Sequence, residues 1–135
     1  MKTQTEYEEE SARFIKERDE RWANKTLKGK YALATIGSKT DNGGEVITAT
    51  SSAVINGYRV ARVGDKVLDP IHGETVIVSG AGFAAVDDGQ PLALVGSETS
   101  SGARIVQSLQ DRSCVYDFED EPIPGLFKKG YVPPS

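Results

Sequence analysis

The sequence has very few of the residues that build disulfides and metal sites. Its 135 residues include one cysteine, Cys114, and one histidine, His72. A single cysteine cannot form a disulfide within the chain. A zinc site made from several Cys and His ligands of one chain is also excluded. A catalytic site that depends on histidine would have to use His72, and we expect Cys114 to be a small, partly buried residue.

Long hydrophobic runs and an excess of positive charge are missing as well. No apolar run approaches the about 20 residues that cross a bilayer. The first residues lead into charge instead of an apolar secretory segment, so we expect synthesis in the cytoplasm without a signal peptide or stable membrane insertion. With 16 basic and 20 acidic residues the net charge is -4, which does not favour nucleic acid as a partner.

What is present fits one globular domain with short extensions. Hydrophobic residues make up 38% and charged residues 27%, a balance typical of soluble proteins. The character of the sequence changes twice. We therefore divide it into an N-terminal segment (1–29), a β-rich domain (30–113) and a Pro-rich C-terminal extension (114–135).

The N-terminal segment is predicted to form a charged amphipathic helix. Acids and bases are interspersed there without proline, Thr5 and Glu8 form a capping-box pattern, and Gly29 is a suitable stop. Its narrow apolar stripe packs either on the rest of the chain or on another protein, and both interpretations stay open. The stripe consists of Tyr7, Phe14, Ile15 and Trp22.

Residues 30–113 are predicted to be all-β and built from repeats. Asn56-Gly57 and Asp88-Gly89 are hairpin turns between short apolar strands. A glycine closely followed by an apolar strand recurs at nearly equal spacing, at Gly43, Gly73 and Gly102. A unit of about 30 residues cannot bury its own apolar face, so three units are expected to pack with pseudo-three-fold symmetry.

The C-terminal extension carries four prolines, which predicts an irregular tail. It is either solvated or extended and docked on the domain, and it is too short to fold as an enzyme. The side chains available for docking are Phe118, Leu126, Phe127 and Tyr131.

The repeats resemble the PAAR-repeat family, named for Pro-Ala-Ala-Arg in the frame Asn-Gly-x-Pro-Ala-Ala-Arg-Val-Gly-Asp. Residues 56–65 read Asn-Gly-Tyr-Arg-Val-Ala-Arg-Val-Gly-Asp and keep the frame without the proline. Residues 88–97 keep the proline without the arginine, and residues 70–73 resemble the family's Pro-x-His-Gly. The resemblance spans residues 37–105.

The resemblance implies a small cone of β-hairpins at the spike tip of a bacterial contractile injection system, type VI secretion above all. The implied partner is a trimeric valine–glycine-repeat (VgrG-type) spike protein, which a monomer with three internal repeats would cap and sharpen. The terminal extensions would attach an effector or adaptor, and the protein would leave the cell with the spike. Alternatives are an adaptor or chaperone that binds through the N-terminal helix, and a phage tail-spike tip.

Family members commonly bind zinc near the apex, and four positions of this chain correspond to the usual ligands. Only His72 keeps a usual ligand; the other three positions hold Asn42, Asp69 and Ser101. We therefore expect no cofactor, and a hydrogen-bonded apex in which His72 links the other side chains.

An enzyme built from Ser100 or Ser101 with His72 and Asp69 is the least favoured class, because no nucleophile-elbow or phosphate-loop motif accompanies them.

Overall fold

The computed structural model describes residues 26–134, which are mainly β-structure. Eleven strands are present in this part of the chain: β1 (Leu27–Ala32), β2 (Lys39–Thr40), β3 (Glu45–Val46), β4 (Val54–Ile55), β5 (Tyr58–Arg59), β6 (Lys66–Asp69), β7 (Gly73–Val76), β8 (Val86–Asp87), β9 (Gln90–Pro91), β10 (Ile105–Gln107) and β11 (Cys114–Phe118). One 3-10 turn, Gly82–Ala84, precedes β8.

The predicted N-terminal helix falls almost entirely outside the described residues, and its expected end at Gly29 is wrong. Residues 27–32 form β1, in which Gly29 pairs with Asp117 of β11. The pairing with a strand from the other end of the chain, which no local pattern reveals, places this glycine in a sheet instead of a helix cap.

The strands form four antiparallel sheets. The largest has five strands in the order β10-β2-β3-β6-β7, and the others are the pairs β1–β11, β4–β5 and β8–β9. The five-stranded sheet brings strands from all three predicted repeats together. β2 and β3 of the first predicted repeat lie between β10 of the third and the pair β6–β7 of the second.

Both predicted hairpins are confirmed. Ile55 pairs with Tyr58 across the turn Asn56-Gly57, and Asp87 pairs with Gln90 across Asp88-Gly89. All four turn residues have positive φ, between 48° and 83°. Two central residues with positive φ define the type I′ turn that Asn-Gly favours.

The apolar core consists of two clusters of buried side chains. The first contains Ala34, Val46, Ala61, Val67, Ile77, Ala93 and Ile105. The second contains Leu33, Val60, Ala81, Leu92, Leu94 and Val115, and partly buried side chains of both hairpins pack against it.

A closed circuit of backbone hydrogen bonds joins three alanines of the first cluster. Ala61 donates to the carbonyl oxygen of Ala34, Ala93 donates to that of Ala61, and Ala34 donates to that of Ala93, each at 2.9 Å. All three alanines are completely buried. A methyl side chain is the largest that leaves three backbones this close, which accounts for alanine at each position.

The C-terminal extension is regular at its start and docked along much of its length. Its first five residues form β11, so the irregular part begins only at Glu119. The amide of Phe127 donates to the carbonyl oxygen of Gly80 at 2.8 Å, and its ring meets the ring of Tyr31 edge-on at 4.8 Å. A fully solvated tail is therefore wrong for residues 114–131.

Candidate functional site

Three loops meet at one end of the five-stranded sheet, and each comes from a different predicted repeat. The first joins β2 to β3 (41–44), the second joins β6 to β7 (70–72), and the third (100–104) precedes β10. The loops bring together the four positions predicted from the sequence: Asn42, Asp69, His72 and Ser101.

The carboxylate of Asp69 connects the three loops. Its Oδ2 accepts hydrogen bonds from Asn42 Nδ2 at 2.9 Å and from Ser101 Oγ at 2.7 Å. Its Oδ1 accepts the backbone amides of Ile71 at 2.8 Å and His72 at 3.0 Å. Asp69 is only 3% exposed, so these donors replace the water that a buried carboxylate needs.

Hydrogen bonds within the neighbouring loops orient the two side-chain donors. The amide oxygen of Asn42 accepts from Thr40 Oγ1 at 2.7 Å, which leaves its amide nitrogen to face Asp69. The hydroxyl groups of Ser101 and Thr99 lie 3.1 Å apart. Thr40 and Thr99 therefore hold Asn42 and Ser101 in the orientations in which they donate to Asp69.

These hydrogen bonds hold the pKa of Asp69 far below its usual range. The bond from Asn42 has the largest effect, followed by that from Ser101, while burial opposes them. The two backbone amides lower the pKa further. Asp69 is thus an anion whose charge is bound entirely by donors of its own chain.

His72 has a different role from the one predicted. Its Nδ1 lies 3.3 Å from Asp69 Oδ1, but its side chain is 55% exposed. The group that connects Asn42 and Ser101 is Asp69, not His72. Ile71 beside it is 75% exposed, so the second loop presents an isoleucine and a histidine to solvent.

The residues at this site do not fit a structural zinc ion. Both oxygens of Asp69 already accept protein donors, and Asn42 and Ser101 use their polar atoms on Asp69 and on neighbouring threonines. His72 would be the one nitrogen ligand, whereas structural zinc requires four closely placed nitrogen, sulfur or carboxylate donors. In residues 26–134 no group of three His, Cys, Asp or Glu side chains is placed to hold a metal.

The geometry also does not match a Ser–His–Asp triad. Ser101 donates directly to Asp69, so the carboxylate occupies the place where a general base would have to stand. Ser100 instead accepts from the amide of Val76 at 3.2 Å.

Sequence reasoning missed a second buried carboxylate, Asp65, just before β6. Its Oδ1 accepts from the hydroxyls of Thr48 and Thr50, both at 2.9 Å, and its Oδ2 accepts the amide of Arg62 at 2.8 Å. Serines hold the corresponding position in the other two predicted repeats, where Ser38 accepts from the amide of Thr35 and Ser97 from that of Leu94. An aspartate in place of serine, after a Thr-x-Thr sequence, is the signal that could have identified Asp65.

The side chains predicted to form a partner-binding helix, Tyr7, Phe14, Ile15 and Trp22, lie outside the described residues. Among residues 26–134 there is no helix with the length and apolar character needed to span a membrane.

Comparison with known proteins identifies the family. No curated protein and no solved structure matches the chain. A family model described as the PAAR motif matches residues 36–107, which include all three loops, two of the three circuit alanines and both hairpins. This match covers just over half of the 135 residues. The chain therefore belongs to the PAAR-motif family.

Proposed function

We propose that this protein is the structural tip of the spike in a bacterial contractile injection system of the type VI class. Family membership supports the role, since the PAAR family is a structural spike-tip family. The observation that carries the proposal is the closed circuit of hydrogen bonds through Ala34, Ala61 and Ala93. It supports a body with pseudo-three-fold symmetry about the alanines.

Pseudo-three-fold symmetry gives a single chain a way to bind a symmetric trimer. Three similar surfaces of one chain can each meet one subunit, which one asymmetric surface cannot do. The proposed partner is accordingly a trimeric valine–glycine-repeat spike protein, capped by one copy of this chain. A cap of this kind needs no catalytic residue.

We assign the docking surface to the hairpin end of the molecule and the free tip to the loop end. The hairpins carry exposed apolar side chains, with Val54 52%, Tyr58 39% and Val86 42% exposed. The two hairpins are neighbours, since Ser52 Oγ donates to Asp87 Oδ1, and neighbouring exposed apolar side chains are typical of protein interfaces. At the loop end, the carboxylate of Asp69 and its hydrogen-bond donors satisfy one another. This suits a tip that has to stay folded without contacts to another protein.

The loop end is proposed to work without a metal. Asp69 joins three repeats through side chains 27 and 32 residues away in the chain. A structural zinc ion would make comparable links between distant loops. The carboxylate network takes over this role in the proposed tip.

The terminal extensions are the proposed sites of attachment for an effector or adaptor, with Tyr7, Phe14, Ile15 and Trp22 as the contact side chains. The protein would then be made in the cytoplasm and delivered outside the cell with the spike. An adaptor that uses only this N-terminal segment is the competing function.

Co-purification of the tagged full chain from its native host, with identification of the bound proteins, tests the proposal. We expect a valine–glycine-repeat spike protein to be recovered. Two matched variants locate the surface: Tyr58→Glu at the hairpin end should abolish recovery of the spike, while Ile71→Glu at the loop end should preserve it. Recovery of an effector without any spike protein would favour the adaptor function.

A further inference from the structure

The hairpins β4–β5 and β8–β9 close with the same backbone hydrogen bond, and a third copy of that bond occurs beside the β1–β11 pair. In every case an amide just before a circuit alanine donates to a carbonyl oxygen just before the partner strand. The donors and acceptors are Val60 to Ala53 at 2.9 Å, Leu92 to Ala85 at 2.9 Å, and Leu33 to Ser113 at 3.1 Å.

The strand pairing repeats with the same register. Ile55 pairs with Tyr58 in the first hairpin and Asp87 with Gln90 in the second. Val115 pairs with Tyr31 in the β1–β11 pair. Tyr31, Tyr58 and Gln90 each stand at the same distance along the chain before a circuit alanine. The β1–β11 pair therefore occupies the position of a third hairpin.

This third pair differs in having no turn. A tight turn joins the two strands of each hairpin, whereas β1 and β11 come from the two ends of the described chain. Both strands also lie outside the residues that match the family model, 36–107. The matched region contributes two pairs of this kind, β4–β5 and β8–β9, and the strands β1 and β11 supply the third.

The segment that supplies β11 packs against a defined surface of the domain. Val115 is 9% exposed and belongs to the second core cluster, and Phe127 packs against that cluster further along. Gln110, on the accepting side, exchanges two hydrogen bonds with the backbone of Ser113 at 2.9 and 3.1 Å, which fixes the start of the segment. The amide of Phe83 donates to the carbonyl oxygen of Pro124 at 2.9 Å.

We propose that residues 26–110 form a strand-accepting site whose ligand is the chain's own closing segment, residues 111–134. The site has three parts. They are the edge of β1, which pairs with an antiparallel strand; the apolar surface of the second core cluster; and the backbone groups of residues 78–83, which hydrogen-bond to the segment. Binding of the closing segment completes the ring of three repeats.

The closing segment also anchors the start of the described chain. The amide of Glu119 donates to the carbonyl oxygen of Thr26 at 2.9 Å, so the strand pairing reaches the first described residue. β11 therefore anchors both Thr26 and β1 to the core.

Cutting the full chain between Asp111 and Arg112 tests the proposal. Both residues are exposed, so a protease recognition sequence inserted between them can be cleaved in the folded protein. We expect the cut protein to elute as one complex with the mass of a single chain, and to release residues 112–135 only in denaturant. Release on cutting, or a complex with the mass of two chains, would overturn the proposal.

Substitutions in the cut protein show which contacts retain the segment. Val115→Asp should speed its release by about tenfold or more, because the charge would be buried in the core cluster. Val132→Ala is the matched control, since Val132 is 69% exposed, and should leave the release rate unchanged. Equal release rates for the two variants would show that the segment is not seated through β11.

Discussion

At the scale of single residues, the molecule depends on buried carboxylates that accept hydrogen bonds from distant parts of the chain. Asp69 binds donors of three loops, and Asp65 binds the hydroxyls of Thr48 and Thr50. Each buried carboxylate oxygen accepts at least two hydrogen bonds, which replace those that water would make. Removing the carboxylate is therefore expected to disrupt more than removing any one donor.

Asp69→Asn should destabilise the protein far more than His72→Ala. An asparagine would place an amide nitrogen against one of the two pairs of donors, either Asn42 and Ser101 or the two backbone amides, and the charge would be lost. We expect Tm to fall by more than about 5 °C for Asp69→Asn and by less than about 3 °C for the half-exposed His72. Thermal unfolding followed by circular dichroism measures both. A larger loss for His72→Ala would show that the histidine, not the carboxylate, connects the loops.

The lowered pKa of Asp69 predicts a loss of stability in acid. A group whose pKa is lower in the folded state stabilises the protein above its unfolded pKa, near 4, and this contribution disappears as the pH falls further. The free energy of unfolding should therefore fall more steeply between about pH 5 and pH 2 in the wild type than in Asp69→Asn. The pKa of Asp87 is also lowered, chiefly by Ser52, but this contribution is common to both proteins. Parallel urea-unfolding curves across the pH range would contradict the assignment.

The sequence predicted which four residues meet at the loop end, but it could not predict which of their atoms join the loops. Their positions followed from the resemblance to the family motif. The choice between Asp69 and His72 depends on which side chain points into the loop cluster. That direction depends on the backbone conformation of the loop, which the sequence alone does not specify.

At the scale of elements, local chemistry accounts for the hairpins and long-range pairing accounts for what was missed. Asn56-Gly57 and Asp88-Gly89 predict their turns because each supplies two residues that tolerate positive φ. The β1–β11 pair has no such signal, since its strands are far apart in sequence and have no turn between them. For that reason the sequence pattern assigns part of β1 to a helix and β11 to an irregular tail.

Alanine substitutions at two glycines with positive φ distinguish the cost of backbone strain from the cost of losing the contact with the closing segment. Gly57 (φ 83°) has open space where a Cβ would stand, whereas at Gly82 (φ 59°) a Cβ would lie 2.3 Å from the carbonyl oxygen of Pro124. Gly57→Ala should cost about 1 kcal/mol of stability from strain alone. Gly82→Ala should cost clearly more, because the closing segment must also move. Urea unfolding of both variants checks this, and equal losses would contradict the docking of Pro124.

At the scale of the whole molecule, backbone hydrogen bonds join the three alanines of the circuit, and β1 and β11 pair beside it. The prediction of three repeats rests on glycine spacing and turn chemistry, which recur regularly along the chain. The alanine circuit was not predictable, since it depends on three backbones meeting at one place. In the proposed function, the repeats provide three similar surfaces and the closing segment completes the third.

The stoichiometry of the complex with the spike decides whether the molecule is a single pseudo-three-fold cap. Native mass spectrometry of the purified full chain, mixed with a purified trimeric valine–glycine-repeat spike from the same host, counts the subunits. We expect one copy of this chain on three spike chains, with no larger species at excess protein. Three copies on each trimer, or no complex at all, would contradict this role.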